Sequence, residues 1–297
     1  MLPNARFKEL LSDIEPKRTI RQAASAAHIS VRDHLWRHPQ FSGRLDYDFL
    51  AGSYARYTAV RPCFANDLNS RPDVDVYLKL RYGFTANPRQ ILVELKDALD
   101  QRFHVERINR RSVRVNTGLV DVDVVPLINS GNGFKIPDRI SGNWSQTNPM
   151  SHYYWSQRIN GKFENRFKPL VKLIKWWRLE HFALDHPKGF SLEILAAQHA
   201  PSRIDHYGTL FTRFLQELLQ VYGPRSGWQG KPILDDPAVP GNDILSRVSK
   251  RDWSTFMTLV AKHAEIASLA QTIDDERLEI LLWRLIFGER FGRGFIV

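Results

Sequence analysis

The tetrapeptide Asp-Val-Asp-Val occurs twice in the chain, at residues 73–76 and again at 121–124. Alternation with a period of two is the repeat of an extended strand, in which residues i and i+2 share a face. Each copy therefore sets two carboxylates side by side and turns two valines toward a core. Aspartate is a poor strand former, so two such pairs call for a reason. Two facing strands with three or four carboxylates can hold a pair of Mg²⁺ ions about 3.5–4 Å apart, an arrangement that activates an attacking oxygen and neutralises a leaving one in phosphoryl chemistry. The plainer alternative is an amphipathic strand with a solvated acidic face. The duplication, and the Gly52-Ser53 pair ahead of the first copy, favour the metal site.

With 297 residues, 43% of them hydrophobic, the chain can build one large domain or two ordinary ones. Met1 to Leu11 carries Arg6, Lys8 and Glu9 with no apolar run behind them, so no signal peptide is expected, and no stretch approaches the length of a membrane span. A single cysteine, Cys63, excludes an internal disulfide and a cysteine-rich zinc knuckle. These features predict a cytoplasmic protein that does not engage a membrane. The formal charge of +10 favours polyanionic partners, among them nucleic acids and nucleoside triphosphates. Basic residues are locally dense at Arg107, Arg110, Arg111 and Arg114, but a solvated surface accounts for most charge of this kind.

Ala24, Ala27, Val31 and Leu35 recur at helical spacing from Ile20 onward and predict a long amphipathic helix ending near His38-Pro39. A strand over 44–51 then runs into Gly52-Ser53 and a short helix from about Tyr54, and a second strand covers 73–80. Asn87-Pro88 reads as a helix start, with Ile91, Leu92, Leu95 and Leu99 on the buried face. Strands follow near 104–108, 111–117 and 119–127. Residues 129–152, rich in Gly, Asn, Ser and Pro, read as a long connection along the site. Beyond about residue 160 the period is helical, with helices expected over 162–183, 190–199, 207–222, 251–268 and 275–288. The expected architecture is α+β: a mixed lobe over residues 1–158 bearing the carboxylates, and a helical lobe over 159–297. Trp176 and Trp177 read as packing residues, and the ten histidines show no metal-ligand spacing.

In Gly52-Ser53-Tyr54-Ala55-Arg56-Tyr57-Thr58, glycine permits close backbone approach to a ligand and serine can cap the helix that follows, leaving amide groups for a phosphate. A Gly-Ser turn, an Asp-x-Asp strand and Asp123-Val124-Val125-Pro126 together resemble the polymerase-β-type nucleotidyltransferase superfamily. The stretches Gly-Ser-Tyr-x-Arg-x-Thr, Phe134-Lys135-Ile136-Pro137-Asp138 and Lys168-Pro169-Leu170-Val171-Lys172-Leu173-Ile174-Lys175-Trp176-Trp177 resemble more specifically the bacterial cGAS/DncV-like nucleotidyltransferases, which make cyclic oligonucleotide signals in anti-phage defence. The resemblance covers about residues 45–200.

The resemblance implies a polymerase-β-type lobe packed on a helical one, two Mg²⁺ ions (with Mn²⁺ as a substitute) on Asp73, Asp75 and Asp123, and a donor triphosphate held by Gly52 and Ser53. Lys175 matches a phosphate-contacting lysine, and Phe190-Ser191 falls where relatives stack an aromatic ring on a base. Asp121 shares a face with Asp123 and is the alternative third ligand, although the Val-Val-Pro that follows favours Asp123. The implied reaction is attack of a ribose hydroxyl on the α-phosphate of ATP, GTP or a pyrimidine triphosphate, with Asp123 assisting deprotonation, then ring closure to a cyclic di- or trinucleotide read by a downstream effector. An RNA or protein activator fits this picture. Nucleotide addition to an RNA end, AMPylation of a protein, and nucleotide sensing without catalysis are the rival readings. The chain departs from the family in the long Ser53–Asp73 gap and in having Gly189 where relatives carry Ser. It also lacks the cysteines for the zinc-bound insertion with which the animal enzyme senses DNA.

Overall fold

A computed structural model describes residues 1–62, 71–83, 85–131, 133–181, 186–223 and 230–293. Much of the long gap after Ser53, including Cys63 and Ser70, lies outside the described residues. Seven strands, β1 (Leu45–Ala51), β2 (Asp73–Leu80), β3 (His104–Ile108), β4 (Val113–Asn116), β5 (Asp121–Ser130), β6 (Gly133–Asp138) and β7 (Asn143–Thr147), form one mixed sheet. Its order is β1-β2-β5-β4-β3, with β6 paired to the end of β5 and β7 to β6. Within it β2 and β5 run parallel and the other pairs antiparallel.

Two helices, α2 (Arg18–Arg37) and α5 (Pro88–Asp100), cover one face of this sheet. Val31, Leu35, Leu92, Leu95 and Leu99 are wholly buried against Val74, Val76, Val122 and Val124, the valines of the two repeats. The start of α5 is fixed as expected: the Asn87 side chain accepts from the amides of Arg89 and Gln90, and Pro88 occupies the first turn. Between them lie two single turns, α3 (Pro39–Ser42) and α4 (Gly52–Ala55).

A second core gathers α6 (Pro149–Lys162), α7 (Phe167–Glu180), α8 (Gly189–His199), α9 (Tyr207–Tyr222), α10 (Lys250–Ala270) and α11 (Glu276–Phe287) around the fully buried Trp176, Trp177 and Trp283. The first helix, α1 (Asn4–Ile14), packs here too, through Phe7, Leu10, Leu11 and Ile14. Trp155 of α6 joins the same core. The helical core thus draws on both ends of the chain, and the strands fall between these parts in sequence.

Two expectations are corrected. Residues 129–152 are not an open connection, since β5 continues to Ser130 and β6 and β7 form a hairpin beyond it. The helix expected over 162–183 is α7, which starts only at Phe167, after Glu164 and Asn165 take φ of +49° and +68°; α6, ending at Lys162, is a further helix that was not expected. Among the described residues no helix is long and apolar enough to cross a membrane.

Candidate active site

With Val74, Val76, Val122 and Val124 committed to the core, the aspartates of both repeats turn to the opposite face. The parallel register sets Asp73 beside Asp121 and Asp75 beside Asp123. Across the flanking strands the second row continues to Arg114 on β4 and Ala51 on β1. After Ala51 the chain turns over the row at Gly52, whose φ is +66°, and a Cβ on that residue would lie 1.7 Å from Asp75 Oδ2. Glycine is thus required for the contact itself. The Ser53 side chain does not cap the helix, contrary to expectation: α4 has no side-chain cap, and Ser53 lines the cleft while its carbonyl accepts from the Thr58 amide.

The Asp75 side chain has no hydrogen-bond or ion-pair partner among the described residues. Burial, then the charges of Asp123 and Asp73, push its pKa up to about 7. Asp73 is pushed up to about 6, chiefly by burial, against the lowering effect of Arg114. Asp123 is tied on both oxygens: Oδ1 accepts from Asn109 Nδ2 at 2.9 Å and Ser112 Oγ at 3.1 Å, and Oδ2 from Arg114 Nη2 at 2.6 Å. Asp121, the alternative ligand, is buried and accepts from Arg71 Nε at 2.6 Å. No set of three or more His, Cys, Asp or Glu side chains among the described residues converges on one point as it stands. The Arg114 guanidinium instead lies between Asp73 and Asp123. A carboxylate without a partner, facing further carboxylate oxygens, is still the hard donor set that suits Mg²⁺.

Facing the row across a cleft of about 960 Å³ is the helical lobe. Lys175 and Phe190 both line the cleft, whereas Ser191 is buried beside them and does not. The three protons of Lys175 Nζ are directed at Glu193 Oε1 at 2.6 Å, Thr58 Oγ1 at 3.0 Å and the Thr58 carbonyl at 3.1 Å. A Cβ at Gly189 would lie 3.1 Å from Lys175 Cε, so a larger residue there asks the lysine side chain to give way by a few tenths of an ångström. Glu193 also takes a bidentate pair of bonds from Arg56, at 2.9 and 3.0 Å. Burial alone would raise the Glu193 pKa, but the charges of Lys175 and Arg56 hold it down to about 2. Arg56 covers one face of the Phe190 ring, 4.8 Å from its centroid, so one face at most is open to a base. His152 stands edge-on to Phe190 and its Nε2 is 2.7 Å from the buried Asp236.

Of the residues named from sequence, Gly52, Ser53, Asp73, Asp75, Lys175 and Phe190 line the cleft and Asp123 lies buried beside it; the groups that hold them in place, Arg114 and Glu193 among them, were not foreseen. The four arginines singled out as a basic run do not form a common surface: Arg107 pairs with Glu106, Arg110 with Asp138 and Arg114 with Asp73 and Asp123, while Arg111 lines the cleft. Arg114 was legible in principle. Val113-Arg114-Val115 alternates as the repeats do, which places the arginine on the carboxylate face.

A carboxylate row under a Gly-Ser turn, on a mixed sheet that faces a helical lobe, defines a polymerase-β-type nucleotidyltransferase. Comparison narrows the class. Residues 1–160 match the Second Messenger Oligonucleotide or Dinucleotide Synthetase domain. A cyclic AMP-AMP-AMP synthase of Acinetobacter sp. is 40% identical over 99% of this chain and 86% of its own length. A probable cyclic AMP-AMP-GMP nucleotide synthase of Salmonella paratyphi B is 25% identical over 97% of this chain and 91% of its own. The same fold is seen in E. coli MS115-1 CdnC, solved with ATP, at a TM-score of 0.76 and 20% identity over 98% of this chain and 99% of that one. The chain belongs to the Second Messenger Oligonucleotide or Dinucleotide Synthetase family and is a nucleotidyltransferase that makes cyclic oligonucleotides.

Proposed function

We propose that this enzyme joins three ATP molecules into a cyclic triadenylate that serves as an anti-phage signal for a downstream effector. The choice of adenylate and of a three-membered ring is supported by the cyclic AMP-AMP-AMP synthase that is 40% identical along nearly the whole chain. The observation that carries the chemistry is the in-register pair Asp75 and Asp123 beneath Gly52, with Asp73 one step along β2. Asp73, Asp75 and Asp123 are the ligands of two divalent ions, Mg²⁺ or Mn²⁺. Those ions, when bound, supply Lewis acidity at the α-phosphate and make the acceptor hydroxyl a stronger nucleophile.

The chain's own residues then have distinct tasks. Gly52 and Ser53 bring backbone amides to the donor triphosphate, because glycine leaves the turn open. Phe190 packs on a base through the ring face that Arg56 does not cover. Lys175 acts on phosphate through the position it gives the turn, tied to Thr58, rather than by a free donor of its own. The acceptor hydroxyl attacks the α-phosphate in line, its proton passes to the carboxylate row, and pyrophosphate leaves. Repetition and a final intramolecular transfer close the ring.

The test is incubation of the purified protein with each labelled nucleoside triphosphate and Mg²⁺ or Mn²⁺, followed by phosphatase treatment and mass analysis, with Asp73→Ala/Asp75→Ala alongside. The expected result is a phosphatase-resistant product from ATP alone with the mass of a cyclic triadenylate, absent from the double variant. A requirement for GTP would overturn the triadenylate assignment, and label confined to a macromolecule would overturn cyclisation as the physiological reaction.

A further inference from the structure

Four carboxylates on two adjacent strands repel one another strongly unless a cation stands among them. Arg114 is that cation. It is the cross-strand neighbour of Asp123 on β4, and its side chain is only 16% exposed. Nη2 lies 2.6 Å from Asp123 Oδ2 and 3.0 Å from Asp73 Oδ1, so one nitrogen bridges two carboxylates that the reading above makes metal ligands. Nη1 lies 3.6 Å from Asp121 Oδ2. Asp121 is anchored separately by Arg71, which also reaches Glu106 at 3.2 Å. Hydrogen bonds to Asp123 and the charges of the carboxylates around it raise the Arg114 pKa in spite of burial, so it keeps its charge.

An oxygen that accepts a short bond from a guanidinium cannot present the same lone pair to a dication. Arg114 has a second anionic partner within reach: Nη1 already lies 3.6 Å from Asp121 Oδ2, and giving up the Nε and Nη2 bonds to Asp123, at 3.3 and 2.6 Å, would leave the guanidinium paired there. We propose that Arg114 is a resident counter-cation, holding Asp73 and Asp123 in register in the metal-free enzyme and moving to Asp121 when a divalent ion binds. It is a positioning residue, and the inference rests on the reading of Asp73, Asp75 and Asp123 as metal ligands. Arg114 thus sets the metal affinity and protects the empty site from its own repulsion.

The experiment is Mn²⁺ titration followed by electron paramagnetic resonance, with thermal melts in EDTA and in Mn²⁺, on wild type, Arg114→Gln, Arg114→Lys and Asp75→Asn. Arg114→Gln is expected to bind Mn²⁺ about tenfold more tightly than wild type, equivalent to about 1.4 kcal/mol. It is also expected to melt lower in EDTA and to regain more of its Tm with Mn²⁺ than wild type gains. Arg114→Lys keeps the charge without the fork and is expected to lie between the two, which preserves the test if the Gln variant does not fold. Unchanged or weaker Mn²⁺ binding in both Arg114 variants, with a Tm loss that Mn²⁺ does not repair, would make Arg114 a structural strut and overturn the proposal. Equal Mn²⁺ binding by wild type and Asp75→Asn would overturn the metal assignment itself, and the role of Arg114 with it.

Discussion

Gly52 shows how little freedom the site leaves at a single position. Gly52→Ala places a methyl group 1.7 Å from Asp75 Oδ2 and asks an L-residue to hold a φ of +66°. The left-handed backbone costs about 1–2 kcal/mol by itself. A displacement of Asp75 by about 1 Å is expected to lower the rate of product formation by about 100-fold. Initial-rate assays paired with a melt check this, with the rate falling far more than the modest drop in Tm explains. Asp73 and Asp75 were legible because strand alternation assigns a face from sequence alone. Glu193 was not, although it sits in the buried run from Ser191 to Ala196 and so needs a cation. The lysine that answers it was read as a phosphate ligand, because a helix pattern says where Lys175 points and not what it meets.

At the scale of elements, the strand over 73–80 and the helix over 207–222 coincide with expectation because each carries its own hydrophobic period. The β6–β7 hairpin carries a weak one: Phe134 and Ile136 of β6 pack with Val125 and Leu127, but β7 offers only Trp144 among Asn143, Ser145, Gln146 and Thr147, and is paired to β6 from Phe134–Thr147 to Asp138–Asn143. Its turn-rich composition therefore read as a connection. The helix after it begins at Asn148-Pro149, with Asn148 accepting from the Ser151 amide, the same start signal that was recognised at Asn87-Pro88. The first helix has a role that its sequence alone does not disclose, since the elements it packs on, α7 and α9, lie on the far side of the sheet in sequence. Phe7 is wholly buried, edge-on to Trp283 and Phe291. Phe7→Ala is expected to destabilise the protein by about 3–5 kcal/mol. Denaturant melts followed by tryptophan fluorescence measure this, because the tryptophans around Phe7 report on the helical core.

Between the two lobes, Arg56 and Thr58 from the Gly-Ser turn meet Lys175 and Glu193 in a buried cluster. Glu193→Gln leaves two cations without their counter-charge and is expected to cost about 3–5 kcal/mol. The Glu193 pKa is depressed from an ordinary value of 4.5 to about 2. Its stabilisation is therefore complete above about pH 4.5 and is lost as the pH falls toward 2. Melts of wild type and Glu193→Gln are expected to differ by a constant amount from pH 7 to 5 and to converge below pH 4.5; a gap that stays constant to pH 3 contradicts the cluster's role. The chain also crosses between the lobes twice, after Ile14 and again at Asn148, because the sheet is interposed within the helical part. A body tethered at two points and pinned at a third is held like a shutter on two hinges and a latch, the latch being the Arg56–Glu193–Lys175 cluster. Gly52, Asp75 and Asp123 all lie on the same panel of that shutter, so their spacing is set by the sheet alone and not by how the panels meet.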